Sequence, residues 1–101
     1  MIREPSPGIA SHFDDTIAST GERLRPYDPD PERFVCASPS EPLGTVLRVC
    51  AVATGLCIRC RIGDIGPDPK LKRAIDLPPS AFVALGLRLV DGLAYVSFER
   101  E

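Results

Sequence analysis

Tryptophan is absent from this sequence, methionine and histidine occur once each, and the other aromatics are 2 tyrosines and 4 phenylalanines. The lone histidine, His12, provides neither a triad nor a metal site by itself and reads as half-exposed strand structure. Charge of one sign is also lacking, since 12 basic side chains face 14 acidic ones for a net of -2. So weak a field argues against nucleic acid or an anionic membrane as partner. The densest basic cluster, "KLKR" (Lys70–Arg73), reads as a solvated loop. No apolar stretch approaches the length of a membrane span. The first residues are polar and proline-rich, without the apolar segment of a secretion leader. The chain is therefore expected to be cytosolic as synthesised.

What is present is proline, glycine and cysteine. A chain of 101 residues builds one domain with a small core. Its 11 prolines and 8 glycines oppose long helices. The prolines concentrate in residues 1–42, which read as strand and loop, and "RPYDPDPER" (Arg25–Arg33) is a loop. Residues 45–62, "TVLRVCAVATGLCIRCRI", show period-two alternation on both sides of Ala53-Thr54-Gly55. That pattern predicts a β-hairpin. The arginines mark its wet face, and Leu47, Val49, Ile58, Cys60 and Ile62 its core face.

The hairpin places the four cysteines, Cys36, Cys50, Cys57 and Cys60. Cys50 and Cys57 share the outer face of adjacent strands, within reach of a cross-strand disulfide if the register allows. Cys57 and Cys60 are three apart on one strand, so their side chains leave opposite faces. Such a pair does not grip one metal ion, nor does it open a helix as a thioredoxin-type C-x-x-C does. Buried thiols or disulfides outrank a zinc site, and Cys36 and Cys60 are candidates for the core. No metal and no cofactor is expected.

"DLPPSAFVALGL" (Asp76–Leu87) is the one helix candidate, with Ser80 capping or beginning it and Gly86 ending it. Residues 88–98 read as one or two strands around Asp91-Gly92, and shorter strands fit Gly8–Phe13 and Arg33–Ser38. About six short strands and one short helix predict an all-β barrel or sandwich.

The ordered segments "ASHF", "STGERL", "VCASPSEPLGTVLRV", "VATGLCIRCRIGDIGP" and "RAIDLPPSAFVALGL" resemble the RlpA-like double-psi β-barrel of the rare lipoprotein A family. The resemblance spans residues 9–98, most of the chain. It implies a six-stranded barrel domain over 9–101 preceded by a short extension, 1–8, and similar to expansin and barwin-like barrels. RlpA-like enzymes are lytic transglycosylases of peptidoglycan. The resemblance therefore implies Asp76 and Asp64 as catalytic carboxylates and Glu22 as a groove residue. Ser38 falls where the family has histidine, Ile65 where it has arginine, Gly63 where it has asparagine, Pro78 where it has serine, and Arg25 where an acidic residue is common.

A lytic transglycosylase can use one carboxyl group for both proton transfers, because the sugar's own hydroxyl attacks and an anhydro product forms. Asp76 fits that role if desolvation beside Leu77, Pro78 and Phe82 raises its pKa, with Asp64 adding repulsion if close. Tyr27, in the proline loop, is within reach of a sugar, and Ser38 counts among the substrate-binding candidates. Each acid also has a plain structural role: Asp64 in a turn, Asp76 as a helix cap or barrel brace, Glu22 as a loop acid. The scarcity of aromatics argues against tight polysaccharide binding. Two functions follow as expectations. One is a peptidoglycan-acting barrel with Asp76 as acid and base. The other is a non-catalytic structural or adhesive barrel in an assembly such as a bacteriophage virion, which would deliver it to the cell envelope. Partners are glycan strands or protein subunits, with no nucleic acid and no membrane span.

Overall fold

The computed structural model describes residues 6–66 and 73–101, so all of "KLKR" but Arg73 lies outside it. Six strands are formed: β1 (Ser6–His12), β2 (Val35–Ala37), β3 (Val46–Ala51), β4 (Cys57–Asp64), β5 (Ile75–Leu77) and β6 (Leu93–Arg100). They close into a barrel in the order β1-β5-β2-β4-β3-β6. Closure decides between the two architectures that the alternation allows, and it removes the unpaired edges a sandwich would keep. Two parallel pairs, β1 with β5 and β2 with β4, are set among antiparallel ones. Among the described residues no helix is long and apolar enough to cross a membrane.

The hairpin keeps one unbroken register. Leu47 pairs with Cys60, Val49 with Ile58 and Cys50 with Cys57. Leu47, Val49, Ala51, Ile58, Cys60 and Ile62 all point inward and are buried. The opposite parity puts Cys50 and Cys57 together outside, where they form a disulfide. Cys36 and Cys60 form the second one inside the core. Opposite faces of one strand thus send the two C-x-x-C sulfurs into two separate bridges.

One short helix, α1 (Pro79–Ala84), plugs the barrel with Phe82, while Leu85 just beyond it is also fully buried. The cap position belongs to Pro78, not Ser80. Ser80 instead fastens the proline loop, its N–H and its hydroxyl both donating to the Pro26 carbonyl at 3.1 and 2.8 Å. Gly86 ends the turn at φ 75°, where a Cβ would press on Thr54 and Leu56 of the β3–β4 turn. The Asp91-Gly92 pair closes a short 3-10 turn (Leu89–Asp91) and does not make a hairpin, so the last segment is one continuous strand. At the other end, Ser6, Pro7 and Gly8 pair with Phe98, Ser97 and Val96. These residues, expected to lie in an extension, are part of the barrel wall.

Candidate functional site

The two aspartates meet across β2. Ala37, at the end of that strand, is in register with Asp76 of β5 on one side and with Asp64 of β4 on the other. Ser11 of β1 continues the row as the partner of Asp76. Ile75 and Leu77 are fully buried in the core, so the intervening Asp76 points outward. A strip of Ser11, Asp76, Ala37 and Asp64 therefore runs across four strands on the outer side of the wall, with the two acids partly exposed and Ser11 and Ala37 buried beside and between them. Two interstrand spacings separate the Cα atoms of the acids by about 10 Å.

Asp76 is half-buried, and its Oδ1 accepts a 3.0 Å hydrogen bond from the Ser11 hydroxyl. Burial pushes its pKa up, against the lowering effects of that hydrogen bond, Arg73 and His12. The carboxylate that adds repulsion is Asp15, not Asp64. The sequence expectation of a raised pKa thus has desolvation as its principal cause, while the like-charge partner is different. His12 packs its ring against Phe82 at 5.0 Å and bonds through Nε2 to the Leu89 carbonyl at 2.9 Å.

Asp64 is held by a loop that the sequence shows only as "STGE". The chain doubles back between Ile17 and Arg23, with Gly21 at φ 89° in the tip. Ala18 N–H donates to the Glu22 carbonyl at 2.8 Å and Gly21 N–H to the Ala18 carbonyl at 2.9 Å. This tip latches onto the end of β4. The Ser19 N–H (3.1 Å), the Ser19 hydroxyl and the Ile65 N–H (2.8 Å) all donate to Asp64 Oδ1. Thr20 Oγ1 donates to the Gly63 carbonyl at 3.3 Å, and Glu22 takes both terminal nitrogens of Arg61. A register shift between Cys36 and Ala37 lets Gly63 slip past without a partner. A Cβ there would run into Val35 Cγ1 and stand 3.0 Å from Glu22 Oε2. Glycine where the family pattern has asparagine is thus required by the latch in this chain.

The other candidates lie apart. Ser38 is only 2% exposed, and its hydroxyl accepts from the N–H groups of Ser40 (3.2 Å) and Glu41 (3.0 Å). It braces a turn and is withdrawn from any groove, because the chain reverses directly after β2. Tyr27 is 68% exposed in the loop anchored through Pro26. Glu22 borders a different hollow, an open groove of about 1240 Å³ on the β3–β4 side, which neither Asp64 nor Asp76 lines. Of the arginines that line it, Arg48, Arg59 and Arg61 were legible in the sequence as the wet face of the hairpin, and Arg23, Arg25 and Arg33 only as loop residues.

No protein family matches the chain by its sequence profile, and no curated protein matches it. Solved structures do. An expansin from Clavibacter michiganensis superposes with a TM-score of 0.70 at 23% identity, covering 97% of this chain and 50% of its own. A point mutant of that expansin in complex with cellohexaose gives 0.69, again at 23% identity over 97% and 50% of the two chains. Cerato-platanin 3 from M. perniciosa matches at 0.66 and 11% identity over 94% and 93% of the two chains. A Streptomyces papain inhibitor matches at 0.66 and 21% identity, over 96% of each. The chain spans about half the length of the expansin chains it matches. What these proteins share with it is architecture: a closed six-stranded mixed barrel with one short helix, the double-psi β-barrel.

Proposed function

We propose that this barrel binds glycan strands at the two partly exposed acids of the strip, Asp76 and Asp64, and that Asp76 transfers protons in cleavage of peptidoglycan strands by lytic transglycosylation. The observation that carries the catalytic part is the state of Asp76: half-buried, aligned by Ser11, and pushed toward holding its proton. A protonated carboxyl group can donate to the glycosidic oxygen as that bond breaks. The resulting carboxylate can then take the proton from the sugar hydroxyl that attacks the same carbon, which closes the anhydro ring and restores the acid. No second carboxylate is needed at contact distance. This agrees with Asp64 standing two strands away and contributing nothing to the pKa of Asp76. Asp64, fixed by Ser19, is suited to accept hydrogen bonds from sugar hydroxyls. The glycan class is supported by the expansin mutant of the same fold, whose structure holds cellohexaose.

A second reading, a non-catalytic adhesive or structural barrel such as a virion component, draws on two observations. Ile65, 67% exposed beside Asp64, presents an apolar side chain where a sugar site uses polar ones, and Ser38 is turned away.

Incubation with purified sacculi and with denuded glycan strands, followed by mass spectrometry for anhydro-muramyl ends, tests the proposal. Wild type should form anhydro ends and Asp76→Asn should not. Retained binding of the strands without product in wild type would leave the adhesive reading, and no binding at all would sink the glycan proposal and leave only a structural barrel with protein partners.

A further inference from the structure

The groove on the β3–β4 side is lined by Arg23, Arg25, Arg33, Arg48, Arg59 and Arg61. Half of the chain's 12 basic side chains thus converge on one hollow, with three glutamates beside them. We propose that this groove is a binding site for an extended acidic polysaccharide, a chain whose sugars carry uronate carboxylates. That the polymer is a glycan rests on the function proposed above. That it is anionic rests on the arginines alone.

Three observations favour an anionic occupant. First, Arg48 and Arg59 stand directly opposite each other on paired strands. Like charges in that position destabilise a sheet; within the chain Glu101 offsets Arg59 at 2.6 Å, while Glu99 stands 4.0 Å from Arg48 and leaves room for a further anion. Second, among the described residues neither Arg23 nor Arg25 has an ion-pair partner, although both are exposed at the groove. Third, the other four pair with acids whose side chains are partly buried, Glu99 for Arg48, Glu101 for Arg59, Glu22 for Arg61, and Asp28 and Asp30 for Arg33, while the arginines themselves stay largely exposed. Of these pairs the Arg48 contact, at 4.0 Å, is the loosest and the one a ligand carboxylate would replace most readily, whereas Arg61 is held by both oxygens of Glu22. Guanidinium groups match carboxylates two bonds at a time, which rewards a ligand bearing them at regular spacing.

The size of the groove, about 1240 Å³, points to several linked units. It exceeds the roughly 300–1,000 Å³ of a small-molecule pocket. Two disulfides suit the chain to oxidising surroundings, outside the compartments where nucleic acids are made.

Calorimetric titration with oligogalacturonate at low and high salt tests the inference, using wild type and the Arg23→Ala/Arg25→Ala double variant. Both residues are exposed, so the fold should survive, and thermal melting checks that it does. Wild type should bind, binding should weaken steeply with salt, and the double variant should lose affinity on the order of tenfold. Cello-oligosaccharide, if bound, should be indifferent to salt and to the double variant. Equal or tighter binding of polyglutamate or single-stranded DNA of matched charge would overturn the assignment to a glycan. No salt-dependent binding of oligogalacturonate, or none lost in the double variant, would overturn the site. Binding of denuded peptidoglycan strands with no binding of oligogalacturonate would sink this inference and leave the proposed function standing, and oligogalacturonate binding lost in the double variant with no binding of denuded strands would sink the proposed function and leave the groove site.

Discussion

Asp76 shows how one side chain can be placed for chemistry by its neighbours in the wall. Its outward direction follows from parity between Ile75 and Leu77, its hydrogen bond from the β1–β5 register, and its raised pKa from burial. A carboxyl group whose folded pKa lies above its unfolded value favours the folded state most when protonated. The contribution is fully present below the unfolded pKa and is lost as pH rises through the folded one. Asp76→Asn removes the charge and keeps an oxygen to accept from Ser11. The variant should therefore gain in melting temperature over wild type as pH climbs from the acidic range to neutrality. Parallel thermal melts across that range measure this, and a difference that shrinks with rising pH would contradict it. The aspartates themselves were legible in "GDIGP" and "AIDLPP", each closing a β-like run. What burial does to one of them was not, since Ser11 lies 65 positions away.

At the scale of elements, the latch and the end of β4 act as a unit. Replacing Gly63 by alanine pushes Val35 and Glu22 aside and should cost about 1–3 kcal/mol, the usual penalty for forcing volume into a packed site. Ser19→Ala removes one hydroxyl donor from Asp64 and should cost about 1 kcal/mol. Urea denaturation gives both values. Glycan binding measured alongside shows whether a loosened Asp64 weakens the strip without unfolding the barrel. The hairpin of β3 and β4 could be read from sequence because alternation is local and its two halves are joined by a short turn. The latch could not, because it links Ser19 to Asp64 across 45 positions and no periodicity reports such a contact. For the same reason Ser38 looked available in sequence and proved to be occupied by its own turn.

For the whole molecule, the seam between β2 and β5 sets the limit. These strands have three residues each and share a single register pair, Ala37 with Asp76. Opening there would carry Asp76 away from Asp64. Cys36–Cys60 ties β2 to β4 from inside and closes a separation of 24 residues, against 7 for Cys50–Cys57. Loop entropy alone makes the inner bridge worth about 3.5 kcal/mol and the outer one about 2.5. Paired cysteine-to-alanine variants should lose stability in that order, with a further loss for the inner pair from the cavity it leaves. Hydrogen exchange should show β2 and β5 opening before β3 and β4, and more readily in the Cys36→Ala/Cys60→Ala variant.

The sequence alone determined what depends on near neighbours: short strands enforced by proline and glycine, the inward face of the hairpin, Cys50 and Cys57 sharing its outer face, a helix stopped at Gly86, and a net charge too small to suggest a charged ligand. Those follow from backbone stereochemistry and period-two alternation, which act over a few residues. Only the tertiary structure decided closure into a barrel, the partner of Cys36, the row that brings Asp64 and Asp76 to one outer face, and the gathering of six arginines in one groove. Each of these is a relation between segments far apart in the chain. A near-zero sum of charges constrains none of their positions, and it is the closing of the sheet that sorts them in space.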